Sequence, residues 1–210
     1  MPGTILVTRP SFDRPTHYLF HWSRQSLESA KGHAFTVVTL DKEKANKKEF
    51  EGRNAKLCPV LVFFNGHGSN TTITGHNYDV LVEIGKNDSQ FSGKVVYAIS
   101  CGSARELGRS IVSKKAVSFV GYEDDFILHT DRNMETRPLD DELAKYFLEH
   151  SRVFVSSLMK GNTIGQAYEK ARRNLQERLT DAIHNDPTLA ADLYWDYLNF
   201  VALGDLDNRI

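Results

Sequence analysis

The sequence predicts an α/β fold with a mainly parallel sheet, because short apolar strand patterns alternate with longer helix patterns along the chain. The runs that predict strands are rich in β-branched residues and end at turn residues, and no internal repeat or low-complexity linker interrupts their order. We therefore expect residues 1–210 to form one domain. The alternation is broken at residues 71–84, where two short strand patterns around a Gly-His-Asn turn predict an inserted β-hairpin.

In the first half of the chain, strands are expected at residues 4–8, 35–40 and 60–64. A helix is predicted over residues 16–30, with Lys31 and Gly32 as its stop signal. Residues 41–57 are polar and rich in lysine, which indicates a solvated helix or a helix with a loop.

In the second half, strands are predicted at residues 95–99, 117–120 and 197–203, and a helix is predicted over residues 104–115. Pro138 is expected to open a further helix. The next helix should start near Thr163, because Thr163 and Gln166 have the spacing of a capping box.

Composition and charge exclude several classes of protein. The chain has 26 Lys+Arg and 27 Asp+Glu, a formal net charge of −1, which predicts affinity for neither nucleic acid nor a membrane. Its two cysteines do not make a disulfide framework, which points to a reducing compartment. With no apolar run near ~20 residues and no secretion signal at the first residues, we expect a cytoplasmic protein.

The residues that follow the strands are the candidates for chemistry, since ligands of open α/β sheets bind beyond the carboxyl ends of the strands. The third strand leads into Asn-Gly-His-Gly-Ser at residues 65–69, and the fourth into Ser-Cys-Gly-Ser at residues 100–103. If these strands are neighbours, His67 and Cys101 lie side by side. An imidazole beside a thiol can take its proton and so generate the thiolate that attacks a carbonyl.

The surroundings of Cys101 add to this interpretation. Ser103 and Glu106 have capping-box spacing, so a helix is expected to begin directly after Cys101 and to lower the pKa of the thiol. Glycines beside both candidates allow a substrate backbone to approach and leave amides free for an oxyanion. The alternative is that a buried cysteine and a glycine-rich turn serve only the fold. Cys58, which has no partner motif, is interpreted as structural.

No cofactor is expected. Gly66 and Gly68 lack the further glycine and the lysine of a phosphate-binding loop. A zinc site formed by His67, His76 and Cys101 is disfavoured, because these residues lack the ligand spacing of zinc motifs.

The two motifs together resemble the caspase-like cysteine peptidases, a group that includes caspases, metacaspases, gingipains, clostripain, separase and the bacterial CHAT-type proteases. The similarity extends in chain order beyond the motifs, with the bacterial CHAT, gingipain and clostripain-like members nearest in pattern. The stretches that carry it are residues 63–68, 97–103, 117–125, 160–167 and 199–205.

The resemblance implies a caspase-hemoglobinase fold, with a six-stranded sheet flanked by helices, and peptide-bond hydrolysis by a Cys/His dyad. It implies Cys101 as nucleophile, His67 as general acid and base, and the amides of Gly68 and Cys101 as oxyanion donors. The caspase pattern Gln-Ala-Cys-x-Gly is replaced by Ile-Ser-Cys-Gly-Ser at residues 99–103, so cleavage after aspartate is not implied. The implied partners are a protein substrate, such as a bacterial gasdermin-like effector, and a separate activator, in bacterial defence or cell death.

Specificity is predicted from acidic residues near the expected site. Arg/Lys-specific members of the group use pocket carboxylates, and Glu123, Asp124 and Asp125 follow the fifth strand. The hypothesis is that Asp124 or Asp125 selects a basic residue, with Asp13 after the first strand as a further candidate. The alternative is a solvated acidic loop.

Two other functions remain open. A caspase-like fold can serve as a protein-binding module with an idle dyad, although the presence of both His67 and Cys101 argues against it. A flavodoxin-like or receiver domain would need acidic or phosphate-cradling residues after the first strand, where the chain offers only Ser11 and Asp13.

Overall fold

A computed structural model describes residues 3–28 and 35–210. The order and direction of the strands in this part of the chain decide which residues meet at the edge of the sheet. The strands are β1 (Gly3–Arg9), β2 (Phe35–Asp41), β3 (Leu61–Asn65), β4 (Thr72–Thr74), β5 (Val80–Glu83), β6 (Val95–Ile99), β7 (Ser118–Tyr122) and β8 (Phe200–Gly204).

Six of these strands form the main sheet in the order β2-β1-β3-β6-β7-β8. Every neighbouring pair is parallel except β7 and β8, which are antiparallel. The expectation of a mainly parallel sheet is therefore confirmed. β4 and β5 pair in antiparallel fashion as a separate hairpin, which confirms the predicted insertion.

Helices cover both faces of the sheet. They are α1 (Arg14–Glu28), α2 (Lys47–Leu57), α3 (Arg109–Ser113), α4 (Glu142–Met159), α5 (Ile164–Asn185) and α6 (Pro187–Asn199). Helices α1, α4 and α5 contribute to the core on one face, whereas α2, α3 and the hairpin contribute to the core on the other. None of the helices in residues 3–28 and 35–210 has the length and apolar character that a bilayer crossing requires.

The central strands are apolar throughout because both of their faces are buried. In β3, Phe63 packs on the side of α1 and α4, and Phe64 packs on the side of α2 and the hairpin. Both side chains are fully buried, as is Tyr97 of β6, whose ring stacks on Phe63 at 4.8 Å between centroids. This packing fixes the strands whose ends carry the candidate residues.

Helix starts follow local capping chemistry. The capping box predicted at the start of α5 is confirmed, with Thr163 and Gln166 bonded reciprocally. The helix expected to open at Pro138 instead begins at Glu142, because Asp141 accepts hydrogen bonds from the next amides and residues Pro138–Asp140 form a separate short 3-10 turn. The stop signal predicted at Lys31 and Gly32 lies outside the described residues.

The end of the chain differs from the prediction. Residues 197–199 belong to α6, and the last strand begins at Phe200 rather than at Tyr197. An Asp-Pro start explains the helix, since Asp186 caps it and Pro187 occupies its first position. Aromatic residues suit either structure, so they concealed the change from helix to strand. Tyr194 and Trp195 are exposed on this helix.

Candidate active site

The carboxyl ends of β3 and β6 bring the two predicted chemical groups to one edge of the sheet. These strands are parallel neighbours in register from Leu61 and Val95 onwards, and His67 and Cys101 come directly after them. Both side chains line a cavity of about 260 Å³. No hydrogen bond joins the side chains of these two described residues.

A tight turn holds Cys101 at this edge. Gly102 has φ +61, a left-handed conformation, and a Cβ atom on it would lie 2.7 Å from Oδ1 of Asn70. The Gly102 amide donates to the carbonyl of Asp124 at 2.9 Å, which ties the cysteine turn to the loop after β7. Only glycine combines this backbone angle with so close an approach.

The capping box predicted at Ser103 and Glu106 is wrong. The Ser103 hydroxyl donates to the Ser100 carbonyl at 3.3 Å and accepts from the Ser100 hydroxyl at 2.8 Å, so it caps no amide. Ser103 itself has helical backbone angles, and the following turn, Ala104–Gly108, is a π-helix that leads into α3. The serine completes the cysteine turn rather than starting a regular helix.

The expected lowering of the thiol pKa is wrong as well. Burial raises the pKa of the Cys101 thiol, and the nearby carboxylates of Asp125 and Asp196 raise it further. A contact with the Phe126 carbonyl, 4.0 Å from Sγ, acts in the opposite direction but is weaker. These surroundings therefore favour the neutral thiol over the thiolate.

His67 is oriented by Asp13. Nε2 of His67 lies 2.6 Å from Oδ2 of Asp13, and the other oxygen of Asp13 accepts from the amide and hydroxyl of Thr16 at the start of α1. Burial opposes ionisation of Asp13, yet the hydrogen bonds from Thr16 and His67 outweigh it and lower the pKa of the carboxyl. The carboxylate accepts a hydrogen bond from Nε2–H, which in the neutral imidazole leaves Nδ1 without a proton.

The sequence placed Asp13 near the site but gave it a different role. It was a candidate for binding a basic substrate group, whereas the structure directs its carboxylate to His67. The only local signal was the spacing of Asp13 and Thr16, typical of a helix cap. The partnership with His67 joins residues 54 positions apart, and no local pattern reports it.

Close backbone packing explains the glycines beside His67. A Cβ atom on Gly66 would lie 2.5 Å from the Thr74 carbonyl, and one on Gly68 would lie 2.9 Å from the Cys101 carbonyl. The hairpin is attached here, because the Thr74 amide donates to the His67 carbonyl at 2.9 Å. In the described chain, neither the Gly68 amide nor the Cys101 amide donates to a backbone carbonyl.

The acidic residues after β7 differ in their surroundings. Glu123 forms an ion pair with Arg109, and Asp124 forms one with Arg105 at 3.3 Å. Asp125 is exposed and forms no ion pair with any described residue, and its carboxyl is close enough to Cys101 to raise the thiol pKa. Of the three carboxylates, Asp125 is the one that interacts with the Cys101 thiol.

Asp196 of α6 was not singled out from the sequence. Its side chain is fully buried, with Oδ1 accepting from the Ile127 amide at 2.9 Å and Oδ2 without a partner among the described residues. Burial raises the pKa of this carboxyl well above its ordinary value. No sequence signal marked it, because α6 itself was not predicted.

Cys58 contributes nothing to this site. Cys58 is exposed at the end of α2, where its Sγ contacts the Ala55 carbonyl at 3.4 Å. Within residues 3–28 and 35–210, no group of three or more His, Cys, Asp or Glu side chains is arranged to hold a metal ion.

Comparison with known proteins adds no relative. No family model matches the chain, and no curated protein matches it.

Proposed function

We propose that the chain is a cysteine endopeptidase with a caspase-hemoglobinase fold and Cys101 as its nucleophile. The observation that carries the proposal is the arrangement at the ends of β3 and β6, where Cys101 and His67 line one cavity and Asp13 holds the imidazole. A nucleophile, a base and a group that orients the base form the general constellation for acyl transfer. The apolar side chains of Leu19, Phe126 and Leu128 line the rest of the cavity.

In the first half-reaction, Nδ1 of His67 takes the proton of the Cys101 thiol, and Asp13 stabilises the imidazolium through Nε2–H. The sulfur attacks the scissile carbonyl carbon, and the electron pair of the C=O bond moves to oxygen. The free amides of Gly68 and Cys101 are the donors for this oxyanion. When the carbonyl re-forms, the C–N bond breaks and His67 gives its proton to the leaving amine.

In the second half-reaction, His67 takes a proton from water as the water attacks the thioester carbon. Collapse of this intermediate breaks the C–S bond, releases the carboxylic acid product and returns the proton to sulfur. Each step moves a proton between neighbouring groups, so the reaction needs no cofactor or redox partner.

The raised thiol pKa supports regulation. Burial and the nearby carboxylates of Asp125 and Asp196 disfavour the thiolate, so an activator or a bound substrate that changes this environment would raise the reactivity of Cys101. We accordingly propose a regulated protease that acts on a protein partner in the bacterial cytoplasm, in defence or cell death. A gasdermin-like effector is one candidate substrate.

Asp125 carries the proposed preference for a basic residue. It is the carboxylate of the acidic loop that interacts with Cys101 and forms no ion pair with a described residue, and a Lys or Arg side chain bound there would offset the charge that opposes the thiolate. We expect Asp125→Asn to reduce kcat/KM for Arg and Lys substrates more than for neutral ones. Asp124→Asn, which removes a carboxylate already paired with Arg105, is the matched control. An unchanged basic preference in both variants would contradict this assignment.

The alternative is a protein-binding module with an idle dyad. It shares the fold, and the protonated thiol fits it. The 2.6 Å contact of His67 with Asp13 favours the enzyme, because a binding surface does not require an oriented imidazole.

A fluorogenic peptide library tests the proposal. The wild type and Cys58→Ala are expected to cleave members of the library, whereas Cys101→Ala should cleave none. Loss of His67 should lower the rate by roughly 10²- to 10⁴-fold, the usual contribution of a positioned acid or base. Equal cleavage by the wild type and Cys101→Ala would overturn the assignment of the nucleophile.

A further inference from the structure

Tyr78 lies over the ring of His67. The two rings are stacked, with centroids 5.0 Å apart and an interplanar angle of 25°. The Tyr78 hydroxyl also donates to Oδ2 of Asp13 at 3.5 Å, the oxygen that accepts from His67. One side chain therefore contacts both members of the His67–Asp13 pair, although 59% of its surface is exposed.

The turn that carries Tyr78 has an unfavourable backbone. Asn77 and Tyr78 have φ of +52 and +61, left-handed values that L-residues other than glycine rarely adopt, least of all bulky ones. Such a conformation persists only where the surroundings hold it.

Contacts on the other side of the turn hold it in place. The His76 amide donates to the Ala45 carbonyl at 2.8 Å, and the Lys47 amide donates to the carboxylate of Asp79 at 2.8 Å. The Gly75 amide closes the turn by donating to the Asp79 carbonyl at 2.7 Å. The turn is thus attached to the start of α2, and Tyr78 projects from it onto His67.

Phe12 restricts the His67 imidazole from a second direction. Its ring is edge-on to Tyr78 at 4.9 Å and edge-on to His67 at 5.9 Å between centroids. A hydrogen bond at Nε2 alone fixes one atom of an imidazole and leaves the ring free to turn about that contact. Stacking by Tyr78 and the edge of Phe12 fixes the plane of the ring, and with it the direction in which Nδ1 points.

We propose that Tyr78 is a positioning residue that holds the His67 imidazole in the plane needed for proton transfer with Cys101. The inference rests on the proposed function, because the dyad must be chemically active for its geometry to matter. It gives the β4–β5 hairpin a task, which is to bring an aromatic ring to the base from outside the main sheet.

The test compares Tyr78→Ala and Tyr78→Leu with Tyr78→Phe. Loss of the ring should lower kcat by roughly 10- to 100-fold with KM unchanged, the scale expected from small misplacement of a catalytic group. Tyr78→Phe keeps the stack and should restore most of the rate. Tyr194→Ala, which removes a tyrosine 52% exposed on α6, is the control for loss of a surface aromatic. Tyr78→Leu keeps an apolar side chain in case the alanine variant folds poorly.

A second readout separates this inference from the proposed function. Alkylation of Cys101 by iodoacetamide at neutral pH is measured in a Cys58→Ser background, so that the exposed Cys58 does not react. If His67 and Cys101 act as a dyad, His67→Ala should slow alkylation of Cys101, and Tyr78→Leu should slow it as well.

Each outcome decides one of the two claims. Alkylation that depends on His67 but not on Tyr78, or a change in KM alone, overturns the role of Tyr78. No peptide cleavage together with alkylation that is independent of His67 overturns the proposed function, and the inference with it. The expected kcat loss with rescue by phenylalanine supports both.

Discussion

Asp13 divides its two carboxylate oxygens between structure and chemistry. Oδ1 accepts from Thr16 at the start of α1, while Oδ2 accepts from His67. The position of the base is thereby coupled to the start of a helix that packs on the sheet. A substitution at Asp13 can affect the fold, the base or both, and an amide separates these effects because asparagine caps helices about as well as aspartate.

We expect Asp13→Asn to fold normally and to lower kcat by roughly 10²- to 10⁴-fold, because the amide removes the charge that stabilises the imidazolium and disturbs the tautomer. Steady-state kinetics on the best library peptide measure the effect. A changed preference for basic residues with unchanged kcat would instead return Asp13 to the substrate-binding role inferred from the sequence.

Asp196 gives a pH-dependent prediction. Because burial raises its folded pKa, the folded state holds the proton more tightly than the unfolded state, and stability falls as pH rises above the ordinary carboxyl pKa of about 3.9. Asp196→Asn removes this penalty while keeping the acceptor for the Ile127 amide. The variant should therefore gain more stability at about pH 8 than at about pH 5, where less of the penalty is present.

Thermal unfolding at the two pH values measures this gain, at roughly 2–4 °C in Tm for each kcal/mol. Glu177→Gln, a change to an exposed carboxylate on α5, is the control. An equal gain at both pH values would show that packing rather than buried charge is responsible.

At the scale of elements, local patterns predicted most of the sheet but not its contacts at the site. β3 and β6 were readable because both faces are buried and the runs are apolar throughout. The prediction for the turn after Cys101 was wrong, because Ser103 has the spacing of a helix cap but its hydroxyl bonds to Ser100. Whether the Ser103 hydroxyl bonds to a helix amide or to Ser100 depends on backbone angles that the sequence spacing does not specify.

Two glycines provide a prediction about the hairpin and α2. A Cβ atom on Gly75 would lie 1.9 Å from the Ala45 carbonyl, whereas one on Gly52 of α2 would meet nothing within 4 Å. We expect Gly75→Ala to destabilise the protein by roughly 1–3 kcal/mol and to displace Tyr78. Gly52→Ala should stabilise it by roughly 0.5–1 kcal/mol through helix propensity.

Denaturant unfolding gives both free energies, and peptide cleavage reports the position of Tyr78. Gly75→Ala should lose activity, and Gly52→Ala should keep it. A stable and fully active Gly75→Ala would show that the turn accommodates the added Cβ atom without moving Tyr78.

At the scale of the whole molecule, the strand order accounts for the candidate site. β1, β3, β6 and β7 are adjacent and parallel, so the residues after them converge although they are distant in sequence. The sequence predicted this convergence for His67 and Cys101, since it follows from a parallel sheet. It could not predict the approach of Asp196 and Tyr78, which depends on how α6 and the hairpin fold over the edge.

The charges near Cys101 also come from parts of the chain that are distant in sequence. Asp125 of the acidic loop and Asp196 of α6 both lie near the Cys101 thiol and help to raise its pKa. A cysteine peptidase needs the thiolate, so the proposed function requires that Cys101 react despite this environment.

The most direct measurement is reaction of the purified protein with a peptidyl acyloxymethyl ketone carrying a basic residue, followed by mass spectrometry of the modified peptide. We predict one covalent adduct on Cys101, with none on Cys58 and a much slower reaction in His67→Ala. Modification of Cys58 alone, or of Cys101 at the same rate without His67, would contradict it.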